Sequence, residues 1–217
     1  SKNTSPLTVA YFTMEIALGK EIPTFAGGLG VLAADIMRSC GDLKVSAAFV
    51  SVCWQYGYLN QRIEIDGTQH YEDIQWNPNK YMSRAKETVT VQIEGRDVTV
   101  GAWLFELQND GHTVPVIFLD TNIPQNNPDD RKITEHLYGG DGAMRLKQEV
   151  VLGIGGLRML RAMGYSNIEM FHMNEGHSAF LTLELLCERG FKDDAVRSSC
   201  AFTTHTPVAA RSEEHTS

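Results

Sequence analysis

The sequence predicts an α/β fold, in which a parallel sheet is covered by helices on both faces and carries a β-rich insert. Three observations support this prediction. The first 52 residues read as strand, glycine turn, helix and strand; residues 56–119 alternate between apolar and polar positions; and strands and helices alternate again after residue 143. Alternating strands and helices favour parallel pairing, because parallel strands need a crossover connection that packs on a face of the sheet.

The first three predicted elements make one strand–helix–strand unit. Residues 8–14 have a short apolar strand pattern, and after the glycine turn the apolar spacing of a helix runs to about residue 43. Residues 45–52 form a near-continuous apolar run, which is typical of a strand buried on both faces of a parallel sheet. We therefore expect residues 8–14 and 45–52 to be parallel strands of one sheet.

The turn before the first helix contains Gly27, Gly28 and Gly30, in the run Phe-Ala-Gly-Gly-Leu-Gly. Glycine permits a positive φ and lets a ligand approach the backbone, and a helix N-terminus offers unpaired N–H groups and a positive dipole end. This combination predicts an anion site, most naturally for a phosphate. For the glycines taken alone, a tight turn without a ligand is an equal alternative.

The rest of the chain is divided by clear turn signals. Hairpin turns are predicted at Asp66-Gly67, at residues 94–97 and at residues 109–111. After these turns the sequence predicts a core strand at 114–120 and a loop at 121–130. A helix is predicted at 143–163, with one buried stripe that includes Leu146 and with Gly164 at its end. A strand at 168–173, a helix at 176–189 and a strand at 200–204 follow.

Polar side chains directly follow the predicted strands. In a parallel sheet with helices on both faces, ligands bind at the carboxyl ends of the strands. The residues at these ends are Glu15, Asn174, Glu175, His177, His205 and Thr206. We therefore expect a ligand site at this edge of the sheet.

Composition narrows the function classes. The formal net charge of −8 argues against a nucleic-acid or anionic-membrane surface. No apolar run approaches the roughly 20 residues that span a bilayer, and the first residues lack a signal-peptide core, so we expect a cytoplasmic protein. The four cysteines are widely scattered, without the paired spacing of a metal site or a disulfide framework; we expect all four to be reduced and mostly buried.

Six motifs carry a resemblance to a known family. They read Tyr-Phe-Thr-Met-Glu at 11–15, Phe-Ala-Gly-Gly-Leu-Gly-Val-Leu-Ala-Ala-Asp at 25–35, Tyr-Gly-Gly-Asp at 138–141, Arg-Leu-Lys-Gln-Glu at 145–149, Met-Asn-Glu-Gly-His-Ser-Ala-Phe at 173–180 and Thr-His-Thr-Pro-Val at 204–208. In this order and spacing they resemble the α-glucan phosphorylases, in particular the shorter, non-animal branch. The resemblance runs in register from Val9 to Ala210.

The resemblance implies a Rossmann-like domain that forms the N-terminal half of a two-domain GT-B glycosyltransferase. Enzymes of this family use inorganic phosphate to release the terminal α-1,4-linked glucose of glycogen, starch or maltodextrin as glucose 1-phosphate, with retention of configuration. Their cofactor, pyridoxal 5′-phosphate, acts through its phosphate group. The lysine that holds it belongs to the C-terminal domain, so we expect residues 1–217 alone to be inactive. The implied partners are the glucan and phosphate, no metal is implied, and the oligomeric state stays open.

The resemblance also implies roles for residues around the cleft between the two domains. The amides of Gly27, Gly28 and Gly30 would face the phosphate, where backbone donors stabilise developing negative charge. His205, with Thr206 beside it, would contact the glucose unit that is released. A core histidine bonded to the backbone is the alternative for His205.

Asp141 lies in a glycine-flanked loop that gates the cleft in this family, and an N-cap for the following helix is a compatible simpler role. Three further polar residues would bond glucan hydroxyls: Asn174, Glu175 and His177. For Asn174 and Glu175 the alternative is that one of them caps the helix at 176–189. A third group is predicted to be a solvated or ion-paired helix face and no site: Arg145, Lys147 and Glu149.

Two other function classes stay open. A nucleotide-sugar glucan synthase of the same architecture also has a Gly-Gly-Leu-Gly turn, but it places a lysine two residues before the first glycine, where this chain has Phe25. A non-catalytic module that binds glucan or a dinucleotide is the third class. The dinucleotide reading lacks the Gly-x-Gly-x-x-Gly spacing and an acidic residue at the end of the second strand.

The family pattern changes after Ala210, where a glycine, a histidine and an acidic residue would follow. Here residues 211–217 read Arg-Ser-Glu-Glu-His-Thr-Ser, which is the in-frame translation of a common sequencing adapter. We therefore expect one incomplete N-terminal domain at 1–210, with the β-rich insert at about 56–120, and a non-native tail at 211–217.

Overall fold

The computed structural model describes residues 7–25, 28–63, 69–137, 139–174, 178–190 and 200–203. Its strands are β1 (Val9–Phe12), β2 (Ala47–Val52), β3 (Tyr56–Ile63), β4 (Gln69–Gln75), β5 (Ser83–Arg84), β6 (Val89–Ile93), β7 (Arg96–Asn109), β8 (His112–Asp120), β9 (Met170–Asn174) and β10 (Cys200–Thr203). Its helices are α1 (Gly28–Asp42), α2 (Pro128–Arg131), α3 (Gly142–Val150), α4 (Gly156–Ala162) and α5 (Ser178–Glu188), and a 3₁₀ turn spans Pro78–Lys80.

The main sheet confirms the predicted parallel pairing. Its strand order is β10-β9-β1-β2-β8-β7-β5, with β6 paired to β7. The strands from β10 to β8 run parallel, and β7 is antiparallel to β8. Phe12 is in register with Val50 of β2 and with Met173 of β9, so β1 lies at the centre of the parallel part.

Alternate residues of the parallel strands face two separate apolar cores. Phe12 and Val50 belong to the core that is shared with residues of α4 and α5. Tyr11 and Phe49 belong to the other core, which includes Met37 of α1. Helices therefore cover both faces, as predicted, and every residue of β2 is buried because it packs on both sides.

The β-rich insert follows the predicted turns. The β6–β7 turn places Glu94 and Gly95 at positive φ, and the β7–β8 turn does the same for Asp110 and Gly111. The predicted turn at Asp66-Gly67 lies outside the described residues. β7 joins the insert to the main sheet, since its second half pairs with β8 and its first half with β6.

The helix predicted at 143–163 is present, and its predicted stripe lies in or against the core except at Leu146. Residues Val151–Gly155, between α3 and α4, form a π-helical turn, and most of this turn is buried. A Cβ on Gly153 would lie 2.7 Å from the amide nitrogen of Leu181, and a Cβ on Gly156 would lie 2.8 Å from Cε1 of Phe12. This segment is enclosed between α5 and the sheet, whereas Leu146, one turn earlier, is 53% exposed. Gly164 ends the helix at φ 96°, as predicted.

Two smaller expectations also changed. The loop predicted at 121–130 contains the start of α2, whose first turn is capped by the Asn127 side chain. The cysteines are free, as predicted, but Cys53 alone is buried among them and Cys187 is exposed. Within the described ranges, no helix is long and apolar enough to cross a bilayer, and no cluster of metal-ligating side chains occurs.

Candidate active site at the carboxyl edge of the sheet

The predicted ligand edge is assembled by the loops that follow the parallel strands. β1, β2, β9 and β10 run in the same direction, so their carboxyl ends lie at one edge of the sheet. α1 begins at Gly28, after the loop that leaves β1, and its N-terminus therefore lies at that same edge. The first amides of a helix have no partner within it, which leaves them available to a ligand.

The loop after β1 buries polar groups. Thr13 is 1% exposed and Glu15 is 2% exposed. The Thr13 hydroxyl donates a hydrogen bond to the Glu15 carbonyl (2.8 Å), and the Glu15 amide donates one back to the Thr13 Oγ1 (3.4 Å). This local exchange turns the chain sharply at the strand end. Glu15 was predicted as a strand-end residue without a role, and the structure places its Cγ 3.5 Å from the position of a Cβ on Gly30.

The glycine turn differs from the prediction in one respect. Gly28 and Gly30 have helical backbone angles, so a positive φ is not the reason for glycine at either position. A Cβ on Gly28 would meet no atom of the described residues within 4 Å, whereas a Cβ on Gly30 would lie 2.6 Å from the Cβ of Phe25. Gly30 thus permits close packing within the protein, and Gly28 has space beside it in the described part of the chain. Gly27 lies outside the described residues.

Two tryptophans tie the loop after β1 to the loop after β2. The indole nitrogen of Trp54 donates a hydrogen bond to the Met14 carbonyl (2.8 Å), and Trp54 is completely buried. The indole nitrogen of Trp76 then donates to the Trp54 carbonyl (2.8 Å). Within the loop after β1, the Thr24 hydroxyl donates a hydrogen bond to the Ile16 carbonyl (3.0 Å). The strand-end loop is therefore held in place by buried bonds.

Asp141 caps α3, as the simpler interpretation predicted. Its Oδ1 accepts a hydrogen bond from the Met144 amide (2.9 Å), and Gly140 precedes it at φ 86°. The role of this loop as a gate stays a prediction. Beside it is a cavity of about 190 Å³, and its lining includes His136, Gly140, Met144 and Gln148.

The remaining predicted residues are placed only in part. Asn174 is the last residue of β9 and is in register with Thr203, the last residue of β10. Four predicted site residues lie outside the described part of the chain, and their roles stay predictions: Glu175, His177, His205 and Thr206. The predicted ion-paired helix face is confirmed at Lys147, whose Nζ lies 3.2 Å from Oε1 of Glu94.

Comparison with known proteins places this arrangement in context. No family profile matches the chain. The chain is 38% identical to a glycogen phosphorylase of Mycobacterium tuberculosis and 36% identical to a maltodextrin phosphorylase of Thermococcus litoralis, over 94% and 93% of its own length. The chain is related to the α-glucan phosphorylases. It spans about a quarter of the length of these relatives, 26% and 25% respectively.

A solved structure supports the fold of this phosphorylase relative. The catalytic domain of starch synthase IV from Arabidopsis thaliana, bound to ADP and acarbose, superposes with a TM-score of 0.60 at 16% sequence identity. The likeness covers 93% of this chain and 34% of the synthase chain. The predicted GT-B architecture is thus confirmed for this Rossmann-like half.

Proposed function

We propose that this chain forms one wall of the active-site cleft of an α-glucan phosphorylase. The enzyme would release the terminal α-1,4-linked glucose of glycogen, starch or maltodextrin as glucose 1-phosphate, with retention. The observation that supports the proposal is Gly28, at the first turn of α1 and at the carboxyl edge of the sheet, whose Cβ position has no described residue within 4 Å, in a chain related to phosphorylases. The cytoplasm is the proposed location.

The proposed reaction requires this edge to bind anionic phosphate groups and to hold the glucose hydroxyls. A phosphate oxygen bonds to the anomeric carbon, the bond from that carbon to the bridging oxygen breaks, and the departing oxygen takes a proton from the phosphate. The open amides of α1 suit the anionic groups of this reaction, because they are oriented before the substrate arrives and need no reorganisation. The side chains proposed to hold the glucose hydroxyls are those of His205, Thr206, Asn174, Glu175 and His177.

Pyridoxal 5′-phosphate is the proposed cofactor, and when bound it would supply a phosphate group next to the substrate phosphate. The described lysines do not fit as its covalent anchor. Lys147 is paired with Glu94, and the others are exposed: Lys20, Lys44, Lys80, Lys86 and Lys132. A Schiff-base lysine is usually desolvated. The resemblance to the phosphorylases assigns the anchor to the C-terminal domain of the complete protein, and none of the roles proposed for this chain depends on it.

A glucan synthase that uses a sugar nucleotide is the second candidate, because the chain shares its fold with the starch synthase domain. Phe25 argues against it. This side chain packs against Gly30 at the position where the synthases place a lysine, so it offers no positive charge to a nucleotide phosphate.

Two assays on the longer enzyme that contains this chain separate the candidates. We expect glucose 1-phosphate from maltoheptaose and inorganic phosphate, and no chain elongation from ADP-glucose. Elongation from ADP-glucose without phosphorolysis would replace the phosphorylase with the synthase. Residues 1–217 alone, with pyridoxal phosphate added, should release no glucose 1-phosphate, since the second wall of the cleft would be missing.

A further inference from the structure

A groove runs along the insert side of the carboxyl edge, and its lining includes none of the residues assigned to the proposed reaction. It consists of a cavity of about 210 Å³, lined in part by Gln55, Trp76, Trp103 and Asn122, and of a wider, open part of about 610 Å³ that reaches Tyr81. Gln75, Trp76 and Pro78 line both parts. We call this surface the tryptophan groove.

The indoles of the groove can offer a ligand only their apolar surfaces. The Trp76 N–H is bonded to the Trp54 carbonyl, and the Trp103 N–H donates to Oδ2 of Asp120 (3.1 Å). Trp76 and Trp103 are both half-buried, and the Arg84 guanidinium lies over one face of the Trp103 ring, with Cζ 5.0 Å from the ring centroid. Tyr81 adds a third aromatic surface and is 42% exposed.

In the narrow part of the groove, the polar groups around these rings carry no net charge. Its acid, Asp120, is paired with Arg84, whose Nη1 lies 2.9 Å from Oδ2. The other polar side chains there are amides, of Gln55, Gln75 and Asn122, together with the buried thiol of Cys53. Gln75 is exposed. Amides both donate and accept hydrogen bonds.

Aromatic surfaces beside neutral amides suit a sugar ring, which presents C–H groups on its faces and hydroxyls at its rim. A charged ligand would find no net charge in the narrow part, and a purely apolar ligand would leave its amides unpaired. The groove is also fixed relative to the proposed active site, because Trp76 is linked through Trp54 to the Met14 carbonyl in the loop after β1.

We propose that the tryptophan groove is a second carbohydrate site, which binds a stretch of α-1,4-glucan at a place distinct from the glycine turn. The choice of an α-glucan rests on the proposed function, whereas the choice of a carbohydrate rests on the groove itself. One sugar ring would occupy the narrow part, between Trp76 and Trp103, and the chain would continue over Tyr81.

The test is to measure the binding of maltoheptaose to the 217-residue chain, by calorimetry and by NMR of the indole N–H groups. The chain has three tryptophans, so the indole region contains three assignable signals. We expect maltoheptaose to shift the signals of Trp76 and Trp103 more than that of buried Trp54. Tyr81→Ala and Gln75→Ala, at exposed positions, should each weaken binding, and Trp76→Phe should weaken it by about tenfold.

Leu43→Ala is the matched control, since Leu43 is 76% exposed, directly follows α1 and does not line the groove. Three results would overturn the groove site: absence of binding, binding that Tyr81→Ala and Gln75→Ala leave intact, or a dimer at working concentration whose formation protects the same indole signals. The phosphorolysis assay does not depend on any of these three results. Failure of the groove site is therefore distinguishable from failure of the proposed phosphorylase function.

Discussion

Gly30 and Phe25 approach so closely that a Cβ on Gly30 would lie 2.6 Å from the Cβ of Phe25. Real Cβ atoms do not approach to this distance, so a side chain here requires the backbone to move. Two residues earlier, the same position on Gly28 has no neighbour within 4 Å among the described residues. One glycine of the turn therefore serves packing within the chain, and the other has space at its Cβ position.

Gly30→Ala should destabilise the chain by about 1–3 kcal/mol, as overpacking of a close contact usually does. Urea unfolding of the 217-residue chain measures this effect. Gly28→Ala is the matched control and should be neutral or slightly stabilising, because alanine is favoured over glycine in a helix. Equal free energies of unfolding for the two variants would mean that the Phe25 contact relaxes without cost.

Gly28→Ala should nevertheless lower turnover in the longer enzyme by about 10²-fold, similar to the loss of one oxyanion donor, if a phosphate group lies against the α1 amides. The measurement is kcat for phosphorolysis of maltoheptaose, beside the melting temperature. Unchanged kcat at unchanged stability would reduce the turn to a connection between β1 and α1.

Asp141→Ala should cost about 1 kcal/mol of stability, because the Met144 amide loses its cap. Asp141→Asn keeps an acceptor at the same position and should cost only a few tenths of a kcal/mol. Thermal unfolding of both variants tests the cap. If Asp141→Asn folds normally but lowers kcat in the longer enzyme, the carboxylate has the additional gating role; equal stability of Asp141→Ala and the parent chain would contradict the cap.

His205→Ala in the longer enzyme should lower kcat/KM for phosphorolysis, because a site built to bond a hydroxyl loses transition-state binding when its partner is removed. His205→Asn, which keeps a donor at similar reach, should recover part of this loss. A His205→Ala protein with a lowered melting temperature and near-normal kcat/KM would identify His205 as a core histidine.

Cys53 should resist alkylation while Cys187 reacts. Burial raises the pKa of the Cys53 thiol well above its usual range, and the nearby Asp120 charge adds to the effect. The thiolate is the reactive form, and Cys187 is exposed. Because the folded chain retains a proton that the unfolded chain releases, stability should fall as pH rises above the usual thiol pKa. Iodoacetamide labelling at pH 8, read by mass spectrometry, gives the order; early labelling of Cys53 would contradict its burial.

The elements were predictable wherever local pattern and tertiary environment agree. The continuous apolar run of β2 indicated burial on both faces, and the structure buries each of its residues. The turns at Gly95 and Gly111 followed from glycine's tolerance of positive φ. The strand-end rule placed Glu15 and Asn174 at one edge, because parallel strands must end together.

By itself the sequence determined the fold class, the order of elements and the relationship to the phosphorylases, since these depend on periodicity, turn chemistry and motifs read along the chain. Only the tertiary structure decided that Gly30 allows Phe25 to pack closely against it, and that Leu146 is exposed while the π-helical turn after it is enclosed. It also decided that Trp76 and Trp103 line one groove. Each of these properties depends on which distant side chains occupy the neighbouring space, and sequence spacing within one element carries no information about them.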